Sequence, residues 1–130
     1  MMKTKTLKQS IFVKADPHKV YETFMDEKLH AKLIGSTAKV ERMVGGKFSV
    51  FDGYAEGENL ELIADRLIHQ SWRASDWKEG VYSKIKIVLK KVQGGTEITF
   101  THSGIPPEEL KAITKGWIDF YWTPFKKMYR

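Results

Sequence analysis

The sequence predicts an α+β fold in which a curved antiparallel sheet wraps around one long C-terminal helix, with two short helices after the first strand. Three observations carry that expectation. Between residues 47 and 102 apolar runs alternate with short turns such as Asp52-Gly53 and Gly94-Gly95, and connections that short make neighbouring strands antiparallel. Residues 104–129 instead repeat apolar side chains at steps of three and four, the period of one helix face. That stretch carries two tryptophans, two tyrosines and two phenylalanines. Such a helix is not stable alone in water, so the preceding strands must cover it.

Taken in order, residues 6–14 alternate as a strand with Leu7, Ile11 and Val13 on one side and Lys8, Ser10 and Lys14 on the other; Phe12 breaks the clean pattern. Asp16-Pro17 supplies an N-cap and a proline at the first helical position, and Val20, Tyr21 and Phe24 form the inner face of a short helix. A second short helix holds Leu29, Leu33 and Ile34 and ends at Gly35-Ser36. Strands are expected at 37–42, 47–51, 54–63, 67–74, 81–92 and 96–102. Within 81–92, Ser83, Ile85, Ile87 and Leu89 share one face, while Tyr82, Lys84, Lys86 and Lys90 share the other: a half-buried strand with a wet lysine face. Ile98, Phe100 and His102 face inward by the same count. Gly57 interrupts its strand, as at a bulge or a close approach. Pro106 and Pro107 open the long helix, Gly116 within it points to close packing on the sheet, and Pro124 should kink it by removing the hydrogen bond to Phe120. The whole order describes a helix-grip fold.

A chain of 130 residues suits a single domain, expected over 1–130. With 42% hydrophobic and 29% charged residues it reads as soluble and globular. No apolar run reaches membrane-spanning length. The N-terminus MMKTKTLKQS lacks the apolar segment of a secretory signal. The absence of cysteine removes disulfides and thiolate chemistry and fits the cytoplasm. The net charge of +6 permits an acidic partner. Aromatic residues fall on buried stripes rather than between basic ones, which argues against nucleic acid. No nucleophile elbow, phosphate-cradling glycine loop or apolar carboxylate pair is present, so enzymatic activity and a cofactor are not expected. His18 and Glu22, and Asp26 and His30, stand four apart on helices. Neither pair has the third ligand that a metal needs, and surface pairing is the expectation.

Gly45-Gly46-Lys47-Phe48, Phe51-Asp52-Gly53-Tyr54, Gly57-Glu58-Asn59-Leu60, Gln70-Ser71-Trp72-Arg73, residues 76–80 (DWKEG), Ser103-Gly104-Ile105-Pro106 and residues 116–122 (GWIDFYW) together resemble the C-terminal domain of the activators of the heat shock protein 90 ATPase. That domain belongs to the START-like, Bet v 1-like superfamily (SRPBCC). The resemblance implies a non-enzymatic binding protein, an accessory factor of the stress response with a chaperone of the heat shock protein 90 class as partner. In the family's full-length eukaryotic members a separate N-terminal domain does much of the binding and activation. The 130 residues leave no room for it, so a single-domain form with weak chaperone binding is expected. Leu33 stands where many relatives have an aromatic residue.

Two functional readings compete. In one, the protein acts through its surface, and Lys84, Lys86 and Lys90, joined by Lys8 and Lys14 if the first strand lies in the same sheet, face an acidic partner. In the other it carries or senses a small apolar molecule in a cavity between sheet and helix. Leu33, Trp72, Trp117 and Tyr121 would wall that cavity, and Gln70 and His102 would orient the ligand. Each of these has a structural reading beside it: core for the tryptophans, a satisfied backbone for Gln70, a satisfied core histidine for His102.

Overall fold

One sheet of seven strands holds the chain together because each strand after the first two helices turns directly back on its neighbour. In the computed structural model, which describes residues 3–130, β1 (Lys5–Val13) leads to α1 (Pro17–Met25) and α2 (Glu27–Ile34). These carry the chain across to β2 (Ala38–Val40) at the opposite edge. A meander of β3 (Lys47–Val50), β4 (Ala55–Ile63), β5 (Leu67–Ala74), β6 (Ser83–Val92) and β7 (Gly95–Ile105) then walks back. The spatial order is β1-β7-β6-β5-β4-β3-β2, antiparallel throughout. The first two residues of the basic N-terminus lie outside the described residues. No helix among the described residues is long and apolar enough to cross a membrane.

Local chemistry explains the helix boundaries. Asp16 accepts the Lys19 amide at 3.0 Å, with Pro17 following it, and starts α1. Asp26 accepts the Leu29 amide at 3.0 Å and starts α2, which stops at Gly35 in a left-handed conformation (φ 65°). Val20, Tyr21, Phe24, Leu33 and Ile34 point into one apolar core together with Ile85, Ile87, Leu89, Ile98 and Phe100.

Gly57 is required by the close approach of two strands. A Cβ there would overlap the Ser71 carbonyl oxygen. The bulge itself lies just beyond, between Asn59 and Glu61.

The single helix expected over 104–129 is corrected in three ways. Gly104 and Ile105 belong to β7, where Ile105 pairs with Lys5 of β1 and is wholly buried. Pro106 disfavours helical backbone at the residue before it, and a 3₁₀ turn at Pro107–Glu109 starts the helix instead. The helix then runs as α3 (Leu110–Trp117), a π-helical turn (Ile118–Trp122) and α4 (Thr123–Met128). The Thr123 amide bonds the Ile118 carbonyl five residues back. This wider turn places Pro124 in the first turn of α4, where its missing N–H is no loss. The extra residue also turns both Tyr121 and Trp122 inward and leaves Phe120 53% exposed. Gly116 does not pack closely: a Cβ would meet nothing within 4 Å.

Candidate functional site

The concave side of the sheet and the C-terminal helix enclose a chamber whose polar side chains are bonded to one another. Ser83 donates its hydroxyl to the Trp72 carbonyl (2.7 Å), His102 Nε2–H donates to Ser83 Oγ (2.7 Å), and Trp117 Nε1–H donates to His102 Nδ1 (3.1 Å). This chain fixes one neutral tautomer of His102. Burial pushes its pKa down to about 3. Both ring nitrogens are occupied, so His102 is a structural strut between sheet and helix and offers no free nitrogen to a ligand or proton.

A second chain crosses from α1 to the π-helical turn. His30 Nδ1–H donates to the Phe24 carbonyl (2.8 Å), and its Nε2 accepts from the Tyr121 hydroxyl (2.8 Å). Burial lowers the His30 pKa and raises that of Tyr121 well above the phenol range. The expected surface pair of Asp26 with His30 is therefore wrong: Asp26 caps α2 and His30 faces the core, three and four residues before Leu33 and Ile34 on the same apolar stripe. His18 likewise turns to Asp65 (2.9 Å) in the β4–β5 turn, which raises its pKa, and Glu22 pairs with Arg42.

Gln70 donates to Asn59 Oδ1 (2.8 Å), and Asn59 Nδ2 donates to the carbonyls of Glu41 (2.7 Å) and Met43 (3.0 Å). Asn59 stands where β4 bulges and bonds carbonyls of the β2–β3 connection, so Gln70 orients the side chain that serves this irregular backbone. Trp122 Nε1–H reaches Gln9 of β1 (2.7 Å) and ties the helix to the sheet edge. Sequence reasoning quoted Asn59 and Trp122 only within motifs and gave neither a place in the site. The register that sets Asn59 opposite Gln70, and the π turn that turns Trp122 inward, are both tertiary.

Little space remains. An inner cavity of about 20 Å³ lies among His30, Gln70, Trp72, Trp117 and Tyr121, enough for about one water. A second, of about 50 Å³, opens to the surface beside Gly116 and shares Trp72, Trp117 and Tyr121 as its wall. Pockets that take drug-sized ligands measure roughly 300–1,000 Å³. Of the expected cavity residues, Gln70, Trp72, Trp117 and Tyr121 meet around these spaces, whereas Leu33 and His102 are buried in the core and line neither. A wider recess of about 830 Å³ along β2–β4 is lined by Glu27, Glu41, Glu56 and Glu58 against Lys39 and Lys47, so its lining is net negative and does not suit an acidic partner.

The convex face of β1, β7, β6 and β5 is the other candidate. Lys84, Lys86 and Lys90 are exposed along β6 as expected. The register sets Thr101 between Lys86 and Lys8, and sets Ser103 beside Lys84. β1 does lie in the same sheet, so Lys8 joins the patch. Strands are about 4.8 Å apart, which puts Lys8 about 10 Å from Lys86. Lys90 stands opposite Glu97 in the register, with no ion pair formed between them. Among the described residues no ion pair involves Lys8, Lys84 or Lys86. His69, across from Lys86, is held below its usual pKa by partial burial and then by Lys86 and Lys84.

Comparison with known proteins agrees with the fold. Residues 14–129 match the family described as Activator of Hsp90 ATPase homolog 1-like protein. The human activator of 90 kDa heat shock protein ATPase homolog 1 is 29% identical over 124 residues, 95% of this chain and 36% of that protein. The Dictyostelium discoideum homologue is 32% identical over 116 residues, 88% of this chain and 30% of that protein. The chain thus spans about a third of the length of these curated relatives. A crystal structure of an HSP90 activator from Plasmodium falciparum superposes with a TM-score of 0.89 at 26% identity, covering 96% of this chain and 97% of that one.

Proposed function

Because this chain belongs to the family of Activator of Hsp90 ATPase homolog 1-like proteins, we propose that it is a non-enzymatic binding protein that engages a chaperone of the heat shock protein 90 class through its surface. The observation that carries this reading is the uncovered convex face with Lys8, Lys84 and Lys86 free of ion pairs among the described residues. Its partner surface is acidic, and the attraction steers encounter more than it holds the complex. The interior supports the same choice over carriage of a small apolar molecule. His30, Tyr121, His102 and Trp117 bond to neighbouring protein groups, and the cavities of about 20 and 50 Å³ fall well short of a carrier's.

The test is titration calorimetry with the chaperone of the same organism at two salt concentrations, beside the double variant Lys84→Glu and Lys86→Glu. Binding should weaken as salt rises, and the variant should associate more slowly while its release rate changes little. Equal affinity of wild type and variant at low salt removes this face from the interaction.

A further inference from the structure

Gly116 sits inside α3, where glycine is among the poorest helix formers, and the close packing that would explain it is absent. The space beyond its Cα is open: a Cβ would have no neighbour within 4 Å. That space is the groove of about 50 Å³ between α3 and the β3–β4 turn, floored by Ile113 and Trp117 and walled by Phe51, Tyr54 and Phe120. Phe120 is 53% and Tyr54 47% exposed. Large apolar side chains held open to water around a recess mark an interaction site more often than a bare surface. The volume admits one side chain, not a carried ligand.

The rim has a sign of charge. The Tyr54 hydroxyl is held above the usual phenol range by burial and then by the nearby carboxylates of Asp76 and Glu109. Asp52 and Asp119 flank Phe51 and Phe120 in the chain, Asp119 with Lys115 at 3.2 Å. The lysine patch lies on the convex face of the sheet, away from this groove.

We propose that the groove over Gly116 docks a protein segment that lays one aromatic side chain over Gly116, against Tyr54 and against Phe51 and Phe120, which pack edge to face on each other (5.5 Å between ring centroids), and flanks it with lysine or arginine. A single anchored aromatic ring enclosed by a rim is how small interfaces concentrate their affinity. The flanking cations complement Asp76 and Glu109, and they stack on the exposed faces of Tyr54 and Phe120. This surface is separate from the convex lysine face, and the proposal does not depend on which chaperone, if any, binds there.

The test is ¹⁵N NMR titration of the whole chain with the peptide Lys-Lys-Phe-Lys-Lys. Saturable shifts are expected at the amides of Phe51, Tyr54, Gly116 and Phe120. Replacing the peptide's phenylalanine with alanine, or its lysines with glutamates, should weaken binding at least about tenfold. Gly116→Leu should fill the groove, keep or raise the melting temperature, and remove the shifts. Should that variant fail to fold, Phe120→Ala, at an exposed position, must weaken binding instead. Shifts confined to Lys84 and Lys86, equal binding of the alanine or glutamate peptide, or undiminished binding to a folded Gly116→Leu or Phe120→Ala protein would each overturn the proposal. So would binding of phenylalanine amide as tight as that of the peptide, which would assign the groove to a small molecule.

Discussion

Mild acid should weaken this fold through His102, by an amount that its surroundings set. The ring is wholly buried and neutral, accepting from Trp117 and donating to Ser83. Burial holds its pKa at about 3, against 6.5 for a free imidazole. Below pH 6.5 the unfolded chain takes up a proton that the folded chain refuses until about pH 3. The unfolded state then binds more protons, so stability falls as pH falls through that window and is unaffected above it. From pH 7 to about pH 4.5 the chain crosses two pH units below 6.5, each worth about 1.4 kcal/mol, so His102 alone removes about 3 kcal/mol. His30, also lowered by burial, acts in the same direction. Glu22 is lowered by its bond to Arg42 and contributes only nearer the carboxylate range. Urea denaturation of wild type and His102→Gln at the two pH values isolates the His102 share. The variant is less stable throughout, but its loss on acidification should be smaller by about 3 kcal/mol. Equal losses in the two proteins, or an NMR titration of His102 near the free value, would refute the reasoning.

Two glycines should respond in opposite directions. Gly116→Ala should raise stability by about 0.5–1 kcal/mol, since the new methyl meets open space and alanine favours the helix; a loss in chemical denaturation would mean that the backbone there is packed. Gly57→Ala should cost at least about 2 kcal/mol, because its methyl would overlap the Ser71 carbonyl and force β4 from β5; hydrogen exchange should show the loosening concentrated in those two strands.

Alternation and period alone determined the element order, the inward faces of β1, β6 and β7, the caps at Asp16 and Gly35 and the lysine face, because each depends on neighbours two to four residues apart in the chain. Gly57 announced a close approach for the same reason: a missing side chain inside a strand needs a local cause. The partners of the buried polar groups depended on register and on the path of the last helix. Gln70 meets Asn59 only because β4 and β5 pair in one alignment around a bulge, and His30 meets Tyr121 across ninety-one positions. The π-helical turn is a compromise reached in the folded state. It accommodates Pro124 while burying Tyr121 and Trp122 together, so one helical period could not choose between Phe120 and Tyr121. Gly116 shows the same limit. Its sequence position says that a side chain is unwanted, but only the packing of α3 against the β3–β4 turn decides whether the space beyond it is filled by the protein or left open.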